Sequence, residues 1–325
     1  MREITYAKAI TEAIGEEMER DPRVFLMGED VGAPWEGVLG EFAGIYDKYG
    51  PERVRNTPIS ETAILGSAIG AAATGMRPVA VIMFIDWITV CMDEVVNQLQ
   101  MRYMNGGQTS LPLTIPVYSG AGLCGAHHHS KNLYGVMMSI PGLKVVVPSS
   151  PYDMKGLLKS SIREDNPVIV LEHRMMIASS KKDRIPDEEY TIPLGKADIK
   201  RKGKDASVVA IGYMVNRALA AAEKLQEKGI SVEVIDPRTI VPLDKQAIVD
   251  SVKKTGKLVI MTEEPKTGGA AGEIAAIVAE EAFDHLDAPI KRVCAPDTPV
   301  PYSPPLEKAW MPDEEDLIKA INEVL

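Results

Sequence analysis

The sequence holds five histidines, and three of them stand together as His127-His128-His129, behind a glycine-rich run of Gly120-Ala121-Gly122 and Gly125. Adjacent histidines do not converge on one metal from a regular element, and no Cys, Asp or Glu stands beside them at ligand spacing, so zinc is a poor reading. One imidazole acting as acid, base or substrate ligand at the tip of a glycine-rich loop is the better one. The glycine spacing imitates the dinucleotide-binding GxGxxG pattern, yet it leads into histidines where that pattern opens an amphipathic helix. Gly268-Gly269, ahead of Ala270-Ala271-Gly272, reads as the packed start of a small-residue helix rather than a phosphate loop. Ser60-Glu61 precedes another such helix, with Ser60 suited to an N-cap and Glu61 to a first-turn acid that complements the helix dipole. Cys91, Cys124 and Cys294 are far apart and odd in number, which predicts reduced thiols and neither a disulfide nor zinc.

The elements that must position these groups follow from the apolar runs. Val24 to Met27, Val79 to Ile85, Leu113 to Tyr118, Leu143 to Val147 and Val168 to Leu171 read as buried strands. Between them lie helical stretches at Ala63 to Gly75, Asp86 to Met104 and Pro151 to Arg163. Continuous apolar strands alternating with helices predict a parallel sheet covered on both faces. Residues 181–204 are charged and aperiodic and predict a linker. A second α/β unit then begins, with strands at Ala206 to Ile211, Ser231 to Ile235 and Lys257 to Met261, and helices at Val215 to Lys228, Gly272 to Phe283 and Glu314 to Val324. The predicted domains are 1–180 and 205–325. A length of 325 residues suits two such domains. The 36 basic and 46 acidic residues leave a net charge of −10 with no basic stripe, which disfavours nucleic acid and anionic membrane as partners. The uncharged run from Tyr103 to Ser130 is rich in glycine and polar residues and so does not read as a membrane span. The charged N-terminus has neither a signal-peptide nor a transit-peptide pattern, which predicts a cytoplasmic protein.

Several motifs occur together and in order: Asn56-Thr57-Pro58-Ile59-Ser60-Glu61, Gly75-Met76-Arg77-Pro78, Asp93 to Gln98, Met101-Arg102-Tyr103 before Gly106-Gly107, and His128-His129-Ser130. Pro141 to Val146, Asn166-Pro167-Val168 and Ala295 to Pro301 continue the series. From end to end the chain resembles the β subunit of the thiamine-diphosphate-dependent decarboxylating component of 2-oxo acid dehydrogenase complexes, the family of the pyruvate, branched-chain 2-oxo acid and acetoin dehydrogenases. The resemblance implies an α/β fold: a thiamine-diphosphate-binding pyrimidine-type domain with a parallel sheet, plus a transketolase C-terminal-like α/β domain.

By that resemblance Glu61 hydrogen-bonds N1′ of the thiamine aminopyrimidine and stabilises its imino tautomer, while Ile59, Met83 and Trp87 hold the ring. Trp87 stands where Tyr or Phe is usual. His129 is implied as the histidine that manages protons and meets the incoming lipoyl arm, with His128 its nearest competitor, and Asp93 as an acid on a proton path between paired cofactors. Leu113, Thr114, Ser161, Ile162, Glu164 and Asn166 match a structural potassium site of some relatives, with Glu164 replacing a usual Asp. The GDG stretch that binds diphosphate and Mg²⁺ in thiamine enzymes is absent from this sequence. Half of the site is therefore expected on an α subunit, in an α2β2 assembly. A lipoyl acyltransferase is the expected third partner, docking through its subunit-binding domain on Asp284, Asp287 and the Leu325 carboxylate. Pro116 and Lys131 depart from the usual Arg and Gln, and residues 132–139 lack the usual acidic and aromatic pattern. A split transketolase-like enzyme and a non-catalytic scaffold are the rival readings.

Overall fold

A computed structural model describes residues 1–104 and 106–325, with the backbone alone at Arg102. The Arg102 side chain of the Met101-Arg102-Tyr103 motif and Asn105 of the uncharged run lie outside the described residues. The chain forms two compact units, one of residues 1–119 and 140–194, the other of residues 120–139 and 195–325.

In the first unit, parallel strands run in the spatial order Lys144–Val146, Val168–His173, Thr114–Ser119, Arg77–Phe84, Val24–Gly28, Val54–Asn56. Val24–Gly28, Thr114–Ser119 and Val168–His173 are buried at every residue, as a sheet covered on both faces requires. Helix Tyr6–Arg20 is capped by Thr5, whose hydroxyl accepts from the Lys8 N–H, and buries Tyr6, Ala9, Ile10, Ala13, Ile14, Glu17 and Met18 at helical spacing. It packs on helix Pro151–Arg163, which is capped by Ser150 and has proline at its first turn. Buried charges there are paired: Lys155 reaches Glu12 and Glu16 at 2.9 and 2.6 Å, Lys159 reaches Glu16 at 2.6 Å, and Arg163 reaches Glu17 at 2.6 Å. Helix Glu61–Ala73 buries Ile64, Leu65, Ala68, Ile69 and Ala72 and exposes Thr62, Ala63, Gly66, Ser67 and Gly70. A Cβ on Gly66 or Gly70 would meet open space.

In the second unit the strands run in the order Lys291–Ala295, Leu258–Pro265, Ala206–Ala210, Val232–Asp236, with Asp198–Arg201 antiparallel at one edge. Helices Met214–Gln226, Lys245–Thr255, Ala270–Glu281 and Glu314–Asn322 complete it. Ala121, from the glycine-rich run, is fully buried in the core cluster that includes Val208, Met214, Val234 and Met261.

One expectation needs correction. The predicted long helix at Asp86 to Met104 is broken into a 3₁₀ turn at Ile85–Cys91 and short helices at Met92–Val96 and Met101–Met104. Its first part is Ile88-Thr89-Val90, β-branched residues that lose rotamer freedom in a helix, and the Thr89 hydroxyl bonds the Asp86 carbonyl at 2.8 Å. Residues 181–204, expected as a linker, hold two short strands. Lys182–Ile185 pairs antiparallel with Arg2–Thr5, and Asp198–Arg201 pairs with Val232–Asp236. Residues 120–139, inside the 1–180 span expected of one domain, group by contact with the second unit.

Candidate active site

Glu61 opens its helix and is 8% exposed. Ser60 directly precedes it, but the Ser60 hydroxyl turns to the Pro58 carbonyl at 3.1 Å and makes no capping bond, contrary to the expected N-cap chemistry. The helix start is tied to the Ile85–Cys91 turn by the Thr62 hydroxyl, which donates to the Val90 carbonyl at 3.1 Å. That turn carries Trp87, half-buried and edge-on to Phe84 with ring centroids 5.6 Å apart. Phe84 is edge-on to Tyr118 in turn and lies under the Arg174 guanidinium at 5.4 Å. Met83 is half-buried in the same strand end, and Ile59 is 71% exposed. These groups collect at the carboxyl ends of the parallel strands, where open α/β sheets bind their ligands.

Among the described residues no hydrogen-bond donor reaches the Glu61 carboxylate. A nearly buried carboxylate left in this state calls for a partner from outside the unit. With an aromatic and thioether surface beside it, the group suits a flat nitrogen heterocycle that can hydrogen-bond it, so the residues fit the aminopyrimidine of thiamine diphosphate. Glu29, which follows strand Val24–Gly28, belongs here too and was not recognised in the sequence. Burial, then Asp30 and Glu61, hold its carboxyl above the usual range. The available signal was its place, a carboxylate directly after an apolar strand and a glycine. Burial, then Glu94 and Glu61, push the Cys91 thiol up to about 12, which removes it as a nucleophile.

His128 and His129 belong to the second unit. They end a 3₁₀ turn at Ala126–His128, with the imidazoles of His127 and His128 4.9 Å apart and those of His128 and His129 4.3 Å apart. His127 and His128 are exposed and His129 half-buried. The segment leaves the helical geometry that a dinucleotide fingerprint needs: Gly120, Gly122, Cys124 and Ala126 all have positive φ. Lys131 closes its base, its carbonyl accepting from the Gly120 N–H at 3.0 Å and its ammonium donating to the His127 carbonyl. Gly268-Gly269 acts by close packing, as expected. A Cβ on Gly135 would lie 2.0 Å from the Gly268 carbonyl oxygen, and the first helical amide, Ala270, already donates to Glu264.

Asp93 is exposed and accepts from Asn97 and Gln98 at 2.7 and 3.2 Å, bonds that lower its pKa. Its place is that of a helix acid held by its own turn. The potassium positions come together, but their oxygens are engaged. The Arg77 guanidinium donates to the Ile162 and Glu164 carbonyls at 3.1 and 3.2 Å, the Ser161 carbonyl accepts from Glu164, and the Leu113 carbonyl accepts from Val168. The Glu164 carboxylate holds Lys144 at 2.7 Å and Asn166 at 2.6 Å, and Thr114 is buried in its strand. The Arg77 guanidinium thus occupies one acceptor direction of two of these carbonyls, those of Ile162 and Glu164. Among the described residues no group of three or more His, Cys, Asp or Glu could hold a metal. Asp284, Asp287 and Leu325 are exposed, with Asp287 3.8 Å from Lys257. Lys245 and Glu273 line a cleft of about 550 Å³ that contains neither histidine, so its size does not make it the chemical site.

Residues 2–179 match the transketolase pyrimidine binding domain, and residues 195–317 the transketolase C-terminal domain. Over its whole length the chain is 46% identical to the β subunit of acetoin:2,6-dichlorophenolindophenol oxidoreductase from Bacillus subtilis, covering 98% of that protein. The chain belongs to the family of β subunits of 2-oxo acid and acetoin dehydrogenases. This β subunit is also 43% identical to the 2-oxoisovalerate dehydrogenase β subunit and 42% identical to the β subunit of the pyruvate dehydrogenase E1 component, both of B. subtilis. In each case all of this chain and 99% of the relative are covered. Among solved structures it resembles the inactive β4 tetramer of a split-gene transketolase, with a TM-score of 0.81, 23% identity and coverage of 99% of this chain and 98% of that one; at that identity the likeness shows the fold alone. No helix of the described residues is long and apolar enough to cross a membrane.

Proposed function

We propose that this β subunit supplies the pyrimidine half of a thiamine-diphosphate site, in an enzyme that cleaves the bond beside the carbonyl of a 2-oxo acid or acetoin and passes the acyl group to lipoyl-lysine of an acyltransferase. The observation that carries this reading is the Glu61 carboxylate, buried, first in its helix and without a donor among the described residues. When bound, thiamine diphosphate supplies the nucleophilic carbon and the electron sink for that cleavage. Glu61 accepts a hydrogen bond at the aminopyrimidine N1′ and so controls where the ring's proton resides. Met83 and Trp87 present apolar surface to the ring and exclude water, and Ile59 covers it from the exposed side. Excluding water strengthens the Glu61 interaction, because a charge-assisted hydrogen bond gains in a low dielectric. His129 serves proton transfer to the acyl acceptor.

The diphosphate and Mg²⁺ fall to an α subunit. The exposed stripe of Thr62, Ala63, Gly66, Ser67 and Gly70 supports a second chain lying close against this helix, since small residues let backbones approach. The exposed Asp284, Asp287 and Leu325 carboxylates are the surface offered to the acyltransferase. Two acetoin-enzyme β subunits, from B. subtilis and Cupriavidus necator, are 46% and 45% identical to this chain, and acetoin is tried beside pyruvate and 2-oxoisovalerate. The test is to co-purify the α chain, assay dye reduction with acetoin, pyruvate and 2-oxoisovalerate, and repeat the assay with Glu61→Gln. Undiminished turnover by Glu61→Gln overturns the proposal, as does tight Mg²⁺-dependent binding of thiamine diphosphate by the isolated β chain.

A further inference from the structure

The histidine segment has little regular structure to hold it. Cys124 and Ala126 sit at φ 53° and 58°, a region that non-glycine residues rarely adopt. Such conformations persist only where the surroundings over-determine them. Here the surroundings are three glutamates remote in sequence. Glu263 is 1% exposed and its Oε1 accepts from the Ala121 N–H at 2.5 Å. Glu307, 2% exposed, accepts from the Cys124 N–H at 2.9 Å through Oε2. Glu264, 3% exposed, accepts from the Gly135 N–H at 2.9 Å through Oε1 and from the Ala270 N–H at 2.8 Å through Oε2.

Glu263 and Glu264 are neighbours on strand Leu258–Pro265, where successive side chains point to opposite faces, so the two reach different ends of one segment. The pairing of that strand with Lys291–Ala295 shifts register between Met261 and Pro265, an irregularity of the kind that re-aims side chains beside active sites. The carboxylates thus hold backbone N–H groups on both sides of His127-His128-His129. The three carboxylates are themselves buried, and an ionised carboxylate accepting from a backbone N–H makes the shorter, stronger class of hydrogen bond.

We propose that Glu263, Glu264 and Glu307 are positioning residues for His129: they fix the backbone on either side of the histidine run and so set where its imidazole stands. This rests on the reading that His129 serves acyl transfer. A carboxylate that only stabilises the fold would be indifferent to which histidine the segment carries, and that difference is measurable.

The test uses the holoenzyme reconstituted with its α chain, thiamine diphosphate and Mg²⁺. Turnover is followed with a lipoyl domain and, separately, with 2,6-dichlorophenolindophenol. Glu263→Met removes an acceptor, Glu263→Gln retains one, and Glu264→Gln is isosteric but opposes an amide to one of two N–H donors. Glu263→Met and Glu264→Gln are expected to lower kcat with the lipoyl domain at least tenfold, with KM changed less than twofold and dye reduction much less affected. Glu263→Gln should stay within threefold of the wild type. In a His129→Ala background the same substitutions should have no further effect, since groups acting through one residue are non-additive. Hydrogen exchange at the Ala121, Cys124 and Gly135 amides should quicken in both damaging variants. An equal loss in both backgrounds, or no loss in either, overturns the proposal while leaving the role of His129 standing. Wild-type lipoyl turnover by His129→Ala overturns that role, and the proposal with it. If Glu263→Met does not assemble with the α chain, the isosteric Glu264→Gln decides alone.

Discussion

Glu61 and His129 are held in opposite ways. Glu61 starts a regular helix a few residues after a parallel strand, so its place is set by local sequence, and its carboxylate takes no hydrogen bond from a described residue. His129 follows a short turn in an irregular segment whose amides are bound by Glu263, Glu264 and Glu307, more than a hundred residues downstream. In the first region a buried carboxylate is the proposed reactive group, and no described residue donates a hydrogen bond to it. In the second the buried carboxylates are the scaffold, and they accept hydrogen bonds from backbone amides. The group proposed to meet a cofactor is placed by secondary structure. The one proposed to meet a mobile acceptor is placed by a network that can be tuned without disturbing a helix.

The largest expected effect lies on the Glu61 side. Glu61→Gln keeps size and burial but removes the charge, and should lower turnover with dye or lipoyl domain alike by about 10³-fold, within the usual range for losing a positioned acid or base. Folding stability should be unchanged or slightly higher, because an unsatisfied buried charge is removed. His129→Ala comes next, with about a 10²-fold loss in lipoyl-dependent turnover and a smaller loss with the dye. Equal losses in the two assays would erase the functional contrast between the regions.

That contrast also explains what could be read in the sequence. The parallel sheet was legible because strands such as Val168–His173 are continuous apolar runs between turns, and Glu61 because a short motif and a helix start lie in one stretch. Even Pro116 did not hide its strand; it sits buried in Thr114–Ser119 opposite Val170. The illegible parts are those decided by distant residues. Nothing local announces that residues 120–139 group with the second unit, that Lys182–Ile185 pairs with Arg2–Thr5, or that Glu307, on a seven-residue helix, serves the Cys124 amide. Glu29 was the one missed residue with a local signal, because its carboxylate directly follows a strand end.

Two buried glutamates sharpen the comparison through pH. Burial pushes both Glu41 and Glu264 up to about 7. In each the folded chain holds the proton more tightly than the unfolded one. The stabilisation is therefore complete below the ordinary carboxyl pKa and is lost as pH rises toward 7. Their partners differ. Glu41 Oε1 has no hydrogen bond, and burial together with Glu41 raises Glu172, whose two oxygens also lack partners. Glu264 is satisfied by backbone amides. Glu41→Gln should therefore stabilise the chain by about 2 kcal/mol at pH 8 and by little at pH 5. Glu264→Gln should destabilise it at both, because one amide donor loses its acceptor. Denaturant titrations at the two pH values check this. A pH-independent gain for Glu41→Gln would mean that its carboxyl is not the strained group.

Lys131 gives the smallest effect and the finest test of what holds the histidine segment. Its carbonyl accepts from Gly120 whatever the side chain, so Lys131→Met keeps the backbone closure. It removes the ammonium bond to the His127 carbonyl. Lys131 is partly exposed, so water replaces much of what is lost, and the cost should stay under about 1 kcal/mol. Lipoyl-dependent kcat should fall about two- to threefold, with dye reduction unchanged, as expected if the buried carboxylates do most of the holding. A loss of more than tenfold would shift that role to the rim of the segment, where a single solvent-accessible cation sets the histidine. The contrast between a locally placed Glu61 and a remotely placed His129 would then fail, because residue 131 is only two positions away.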